Sequence, residues 1–253
     1  MKNLRKPEEI IINGVSLKEL LKSHKKWLDN KKSGKQLILE DANLKDANLK
    51  NADLRKANLI GADLRYAYLE DANLENANLE NANLESVNLR YANNLEGANL
   101  SYADLSYANL CCADLIGADL IGANLIGANL SYADLRYVNL EGANLKDANL
   151  EDVDLRYTNL EDTNLEGAKF YLTNLYKVKR KDLFEVGNIG SRNDTTHYFI
   201  EDNRIICGCF DNTLENFEEK VKDTYDKNTR EYMEYMIAID VFKKCKEMYY
   251  KIK

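Results

Sequence analysis

Two cysteines and a histidine in the C-terminal part of the sequence are the residues best suited to metal chemistry. Cys207 and Cys209 form a C-x-C motif, and His197 precedes them. A structural zinc site takes four ligands, drawn from Cys and His side chains. These three residues lie on strand-like sequence and fall short of that number. We therefore expect core cysteines of a hairpin here, with no metal and no cofactor.

A second pair of thiols, Cys111 and Cys112, is adjacent in the sequence. Neighbouring thiols can close a strained ring or react as a pair. The alternative is an accident of surface sequence, and the residues alone favour that alternative.

The sequence lacks the motifs of the common catalytic sites. It contains no P-loop, no G-x-G-x-x-G, no H-E-x-x-H and no nucleophile elbow, and it has only two histidines. Acidic side chains are abundant, but the repeat described below places them on a convex, solvated surface. An enzyme needs a concave site that excludes water. We expect no catalytic residues and a protein that is not an enzyme.

Composition narrows the class further. The chain has 253 residues, 45% of them hydrophobic, with 42 acidic and 35 basic side chains and a net charge of −7. No apolar run approaches the ~18 residues of a membrane span, and Met1 to Lys6 leads into no signal-peptide core. Five cysteines do not suit a disulfide framework. We expect a cytoplasmic protein with no membrane contact, and the acidic balance argues against direct nucleic-acid binding.

The dominant feature is a repeat of five residues between positions 37 and 177. Typical units are Ala42 to Asp46 and Ala123 to Gly127, and we count 28 of them. The central residue is Leu in all units but one, where it is Phe170. The residue before the centre is usually Asn or Asp, and the residue two before it is usually Ala. One additional residue, Asn93 or Asn94, interrupts the phase and predicts a bulge.

A period of five fits neither a regular helix nor a continuous strand. On a helix the leucines would spread over every face, and on a strand they would alternate between faces. The chain must therefore turn once in each unit. The small residue and the Leu are two apart, so both point inward from a short extended segment, while Asn, Asp and Gly supply the turn.

These units resemble those of the pentapeptide-repeat family. The resemblance implies an all-β solenoid, a right-handed quadrilateral β-helix with four units per coil and about seven coils. We expect a 1–36 N-terminal cap, a 37–177 β-helix and a 178–253 C-terminal α+β domain. The structural core predicted from the pattern consists of Leu44, Leu64, Leu84, Leu100, Leu120, Leu140, Leu160 and Phe170.

The flanking segments predict secondary structure of another kind. Asn13-Gly14 is a turn signal, and Ser16 with Glu19 forms a capping box for an amphipathic helix over 17–29. We expect Trp27 of this helix to lie over the open end of the first coil.

The C-terminal segment predicts a hairpin of strands 197–200 and 204–210, joined by 201–203. Two helices follow it, capped by Asn212 and Asn228. The segments 190–195 and 207–210 look similar to those of pentapeptide proteins from clostridial and phage genomes.

Two surface patterns are candidates for partner contact. Apolar side chains hold the position after the central Leu in four consecutive units, one full turn of the coil. We call them the apolar ring: Cys111, Ile116, Ile121 and Ile126. The alternative is that isoleucine merely favours β conformation there. Seven tyrosines take the last position of their units. They are distributed over all four sides, which disfavours a single aromatic binding surface. Tyr137 and Tyr157 should lie one coil apart on the same side.

Three functions remain open. The first is a non-enzymatic structural or protein-interaction scaffold with an unidentified protein partner. The second follows from the resemblance: an acidic DNA mimic that binds or protects DNA gyrase or another topoisomerase. Residues 37–177 carry a net charge of −12, which favours it, but the N-terminal 36 residues carry +6. The C-terminal domain also disfavours an end-to-end dimer. The third is a phage or mobile-element protein acting on a host factor.

Overall fold

The computed structural model describes residues 4–30, 32–92, 94–169, 173, 175, 178–180, 183–189, 194–200, 203–207 and 210–252. The chain forms two compact units. The first comprises Met1–Ala168 with Thr173–Val178, and the second comprises Lys169–Leu172 with Lys179–Lys253. The N-terminal segment and the repeats thus share one unit. The domain boundaries predicted from the sequence remain a prediction.

In the first unit the repeats stack as parallel ladders with a register of 20 residues. Ile38 pairs with Asn58 and Asn43 pairs with Asp63. Twenty residues are four units, so each coil has four sides. We name the sides A to D by their ladders, which run from Ile38 to Asn159, from Asn43 to Asn164, from Asn48 to Asn149 and from Asp53 to Asp154.

Each unit within the described stretch from position 37 to position 169 closes with a tight turn. Ala42 N–H donates to the Leu39 carbonyl at 3.1 Å, and Asp41 between them has φ of +54°. A positive φ confined to the third residue defines a type II turn. The Asn or Asp before the Leu supports the turn through its side chain, as when Asn43 Oδ1 accepts from Lys45 N–H at 3.2 Å. The Asn/Asp-Leu pair of the repeat thus supplies one turn bond and one core side chain.

The interior is filled by the leucines and the small residues. The predicted core leucines are all buried, with at most 1% of their surface exposed; Phe170 lies outside the described residues, as do other residues of the expected seventh coil. The hydroxyl groups of the interior threonines donate hydrogen bonds to backbone carbonyls of the previous coil. Thr158 Oγ1 donates to the Leu135 carbonyl at 2.7 Å, and Thr163 Oγ1 donates to the Leu140 carbonyl at 2.8 Å.

The additional residue of the repeat falls at position 93. Asn94 takes the regular ladder position, because it pairs with Asn73, and its Oδ1 accepts from Glu96 N–H at 3.0 Å. Asn93 itself lies outside the described residues. The ladder register is 21 residues across this insertion and returns to 20 at Asn99 with Asp119.

The N-terminal segment begins with a 3₁₀ helix, Pro7–Glu9. It continues as the hairpin β1 (Ile11–Ile12) and β2 (Val15–Ser16), and then as α1 (Leu17–Asp29). Asn13 and Gly14 both have positive φ, which makes the hairpin turn type I′. The predicted helix is present and Ser16 caps it, since Glu19 N–H donates to Ser16 Oγ at 3.3 Å. The Glu19 carboxylate accepts from the Ser16 hydroxyl at 3.1 Å, whereas a full capping box would have it accept from the Ser16 N–H.

The second unit contains a four-stranded antiparallel sheet and two helices. The strands β3 (Leu183–Ile189), β4 (Asp194–Phe199), β5 (Arg204–Cys207) and β6 (Phe210–Thr213) are neighbours in chain order. The helices are α2 (Leu214–Thr224) and α3 (Arg230–Ile252). The sheet and helices share a core that includes Tyr198, Ile205, Phe217, Ile239 and Phe242.

The predicted hairpin is present as β4 and β5, but its details differ. The expected strand 204–210 is divided between β5 and β6, and Glu201, Asp202, Gly208 and Cys209 lie outside the described residues. The cap of α2 is Thr213, whose Oγ1 accepts from Asn216 N–H at 3.3 Å. The predicted cap, Asn212, belongs to β6, because pairing with β5 extends the sheet up to the residue before the helix.

Candidate functional site

Side A stands out by its charge. Its units are centred on Leu39, Leu59, Leu79, Leu100, Leu120, Leu140 and Leu160. They contain seven acidic residues and no basic residue, whereas the units of every other side contain at least three basic residues. The seven are Glu40, Asp41, Glu80, Asp119, Glu141, Glu161 and Asp162. All of them are exposed or half-buried.

Acidic residues on the other sides are partly neutralised by neighbouring arginines and lysines. On side B, Arg65 bonds to Asp63 at 2.7 Å, and this hydrogen bond lowers the pKa of the Asp63 carboxyl. On side D, Arg136 bonds to Asp134 at 2.6 Å and lies 3.8 Å from Asp154 of the next coil. These ion pairs leave side A as the surface with the most uniform negative charge.

The backbone fixes the axial position of every rung of side A; five of the seven units carry the charges, and those of Leu59 and Leu100 carry none. Neighbouring strands are about 4.8 Å apart, so the seven rungs from Ile38 to Asn159 span about 29 Å. The spacing is fixed by bonds between coils, as when Leu120 N–H donates to the Asn139 carbonyl at 2.8 Å. A partner would therefore meet a preorganised surface, which lowers the ordering cost of binding.

The apolar ring is placed on four different sides. Cys111 lies on side C, Ile116 on side D, Ile121 on side A and Ile126 on side B, and all four are half-buried. One flat partner surface cannot contact all of them at once. Only Ile121 belongs to the acidic side.

The tyrosines at the ends of units occupy the turn corners with positive φ. Tyr137 and Tyr157 stack at 4.9 Å with nearly parallel rings, which confirms the predicted placement one coil apart on one side. Tyr102 and Tyr107 cover glycines of the next coil. A Cβ on Gly122 would lie 2.6 Å from the Tyr102 ring. The rings therefore pack along the coil axis.

The first coil is closed by polar contacts from the N-terminal segment. His24 is buried; its Nδ1 accepts from Leu37 N–H at 3.0 Å and its Nε2 donates to the Arg55 carbonyl at 3.0 Å. These bonds define a neutral ring, and burial lowers the pKa of His24. Arg5 pairs with Ala47 and extends side C. Trp27, the predicted cover, is half-buried and stacks on His24 at 5.6 Å.

The structure places Cys207 and His197 on opposite faces of the sheet in the second unit, and Cys209 lies outside the described residues. Thr196 is the register partner of Cys207, and its Oγ1 donates to Cys207 Sγ at 3.1 Å. His197 follows Thr196 on the strand and so faces the other side of the sheet, where it lies 3.0 Å from Glu185. Among the described residues no group of three or more His, Cys, Asp or Glu side chains converges.

Comparison with known proteins identifies the family. The model of pentapeptide repeats matches in eight copies that together extend from residue 38 to residue 179. The chain therefore belongs to the pentapeptide-repeat family, whose members fold as right-handed quadrilateral β-helices and are in general structural or interaction proteins. Comparison with curated proteins finds no match.

Several solved structures are similar. HetL, a pentapeptide repeat protein involved in heterocyst differentiation regulation from Nostoc sp. strain PCC 7120, is 37% identical over 57% of this chain and 68% of its own, with a TM-score of 0.40. Rfr23 from Cyanothece 51142 is 34% identical over 55% and 84%, with a TM-score of 0.16. QnrB1, a plasmid-mediated fluoroquinolone resistance protein, is 18% identical over 57% and 80%, with a TM-score of 0.39.

One further finding concerns membranes. None of the helices in the described part of the chain is long and apolar enough to cross a bilayer.

Proposed function

We propose that this protein is a non-enzymatic scaffold that binds a protein partner through side A. The observation that supports the proposal is the run of seven acidic residues without a basic residue on that side. A partner of complementary charge would present lysines and arginines. Complementary charge of this kind raises the association rate and fixes the register of a complex.

Ile121 is the apolar contact that we propose for this surface. It lies near the middle of side A, on the rung of Asp119, and is half-buried. The other members of the apolar ring face away from a partner bound to side A. An apolar residue beside charged ones, here Asp119 of the same unit and Glu141 of the next coil, resembles the core and rim of ordinary protein interfaces.

The test compares two sets of substitutions in the full chain. The first set replaces the glutamates that follow the central Leu on side A: Glu40→Gln, Glu80→Gln, Glu141→Gln and Glu161→Gln. The control set replaces glutamates at the same unit position on the other sides: Glu75→Gln, Glu85→Gln, Glu96→Gln and Glu151→Gln. Both sets remove four negative charges, so only the location of the change differs.

Proteins captured from a cell lysate by each variant are identified by mass spectrometry, and affinity is then measured with the purified partner. We expect a partner that binds the wild-type chain and the control variant and is lost from the side A variant. Equal loss in both variants would show that only total charge matters. Retention by the side A variant would refute the proposed surface.

A DNA-like role toward gyrase is the second candidate, and the same surface favours it. Seven charges over about 29 Å average about one charge per 4 Å, comparable with the ~3.4 Å per phosphate of one DNA strand but sparser than the ~1.7 Å per charge of the duplex. A gyrase supercoiling assay tests this role. Inhibition or drug protection that the side A variant loses would support it, and no effect at micromolar protein would exclude it. A phage or mobile-element protein acting on a host factor is consistent with either outcome, and the identity of the captured partner decides it.

A further inference from the structure

The adjacent thiols Cys111 and Cys112 form a preorganised pair on side C. Their sulfur atoms lie 3.3 Å apart, both residues are half-buried and neither is in a disulfide. The sulfur atoms are thus in contact without a covalent bond. Two thiols in such contact are a potential bidentate ligand.

The turn that carries the thiols is fixed on every side by hydrogen bonds. Cys111 N–H donates to Asn109 Oδ1 at 3.2 Å, and Cys112 N–H donates to the Ser131 carbonyl at 2.9 Å. The Cys111 carbonyl accepts from Tyr91 N–H of the previous coil at 3.1 Å. These bonds hold the two Cβ atoms in place, so the geometry of the pair is set by the fold.

A direct disulfide is a poor fit to this turn. Adjacent Cα atoms are about 3.8 Å apart, below the roughly 4.4 Å at which ordinary disulfides begin. Closing the bond would distort a turn that both neighbouring coils hold. A single atom inserted between the sulfurs would avoid that distortion.

The surroundings select against a divalent cation. Arg90 holds the unit position of Cys111 in the previous coil, and its guanidinium lies over the Tyr91 ring at 4.6 Å. Its positive charge repels a metal cation. Zinc also prefers four ligands, and in the described part of the chain no third Cys, His, Asp or Glu joins the pair.

Trivalent arsenic meets these conditions. Its hydroxide and oxide forms are neutral at physiological pH, and it binds two thiols strongly in a pyramidal geometry with angles near a right angle. An atom bonded to both sulfurs at about 2.3 Å, the length of a zinc–thiolate bond, would have an S–X–S angle of about 92° across the observed gap. The gap therefore suits a pyramidal centre better than a tetrahedral one.

We propose that Cys111 and Cys112 form a binding site for trivalent arsenicals. An aryl arsenoxide would react with both thiols, forming two As–S bonds and releasing its oxygen with the two thiol protons as one water. No oxidant or reductant is required. Tyr91 and Tyr132 occupy the same corner in the coils before and after Cys112, so an aryl group on the arsenic would lie beside an aromatic ring.

Phenylarsine oxide is the probe. The fully reduced full-length chain is titrated with it, the adduct is measured by intact mass, and the modified residues are located by peptide mapping. We expect one phenylarsenic group linked to both Cys111 and Cys112. The adduct should survive an excess of 2-mercaptoethanol and be removed by 2,3-dimercaptopropanol, since only a dithiol competes with a chelate.

Serine variants provide the controls, and the fold already accepts serine at the equivalent positions. Ser131 occupies the position of Cys111 in the next coil, and Ser86 occupies the turn position of Cys112 with φ of +55°. Cys111→Ser and Cys112→Ser should each weaken binding at least about 100-fold, because the second bond of a chelate forms at high effective concentration. The double variant keeps the three other cysteines of the chain and measures background.

Either of two results would overturn the proposal. One is equal labelling of the double variant and the wild-type chain, which would place the site at the other cysteines. The other is unchanged affinity in either single variant, which would show that the pair does not act as a chelate. Circular dichroism and the melting temperature of each variant establish that it is folded before titration.

Discussion

Gly34 is the position where a single methyl group should separate α1 from the segment that leads into the first coil. Its φ is +79°, in the left-handed region. A Cβ at residue 34 would contact the Ser23 carbonyl oxygen and lie 2.8 Å from Trp27 N. Both atoms belong to the backbone of α1 and cannot rotate away. The variant Gly34→Ala must therefore displace the segment from the helix.

The displacement breaks identifiable bonds. Lys35 N–H donates to Ser23 Oγ at 3.0 Å, and Ser33 Oγ donates to the Lys26 carbonyl at 3.3 Å. A Cβ in the left-handed region costs about 1–2 kcal/mol, and each lost hydrogen bond costs about 0.5–1.5 kcal/mol. We expect Gly34→Ala to lower the free energy of unfolding by about 2–5 kcal/mol.

Gly14→Ala is the matched control. Gly14 has φ of +81°, and no atom of the described residues lies within 4 Å of the added Cβ, so this variant should lose only the backbone part, about 1–2 kcal/mol. Urea unfolding gives the two free energies, and hydrogen exchange of the α1 amides reports the local release. Equal losses, or unchanged exchange in α1 of Gly34→Ala, would refute the reasoning.

Three further predictions concern the first unit. Leu120→Ala should lower the free energy of unfolding by about 2–5 kcal/mol, because it leaves a cavity in the core. Ile121→Ala changes the neighbouring outward side chain and should lower this free energy by clearly less. Similar urea midpoints for the two variants would contradict this prediction. Gly122→Ala should be less stable than Gly142→Ala, because both have positive φ but only residue 122 lies under a tyrosine ring; equal melting temperatures would count against that packing. The pKa of His24 is lowered below 6.5 by burial, so between that lowered pKa and 6.5 the unfolded chain binds a proton that the folded chain does not. Stability should rise with pH through this window and level off above it, and the contribution should vanish in His24→Gln when unfolding is followed from about pH 5 to about pH 8.

The repeat made the first unit predictable because its signal is local and repeated. Every unit specifies its own turn and its own buried Leu, so errors at one unit do not propagate. The 20-residue register then follows from four turns per coil. Even the position of Tyr137 over Tyr157 could be derived from counting.

Contacts at the ends of the helices and of the coil were less predictable, because they depend on residues that are distant from each other in the sequence. The amphipathic pattern predicts Trp27 as the cover of the first coil, and this stays a prediction. The hydrogen bonds of the buried His24 ring to Leu37 and Arg55, and the pairing of Arg5 with Ala47, could not be read from any local pattern. Asn212 also has a side chain that can cap a helix, but it lies in β6, where it pairs with Ile205. Thr213, the next residue, therefore caps α2. The charge of side A becomes apparent in the sequence only when every fourth unit is assigned to the same side of the coil.

The 20-residue register has a genetic consequence. A deletion or duplication of one whole coil leaves every later unit on its own side, and it changes only the length of each charged or neutral surface. A change of five residues rotates all later units by one side, which would divide the acidic run between two faces while keeping the core intact. The single residue inserted at position 93 rotates nothing, because the ladder resumes at Asn94. Insertions and deletions of whole units can therefore change which side of the coil carries the charge, without any change in the types of residue in the units.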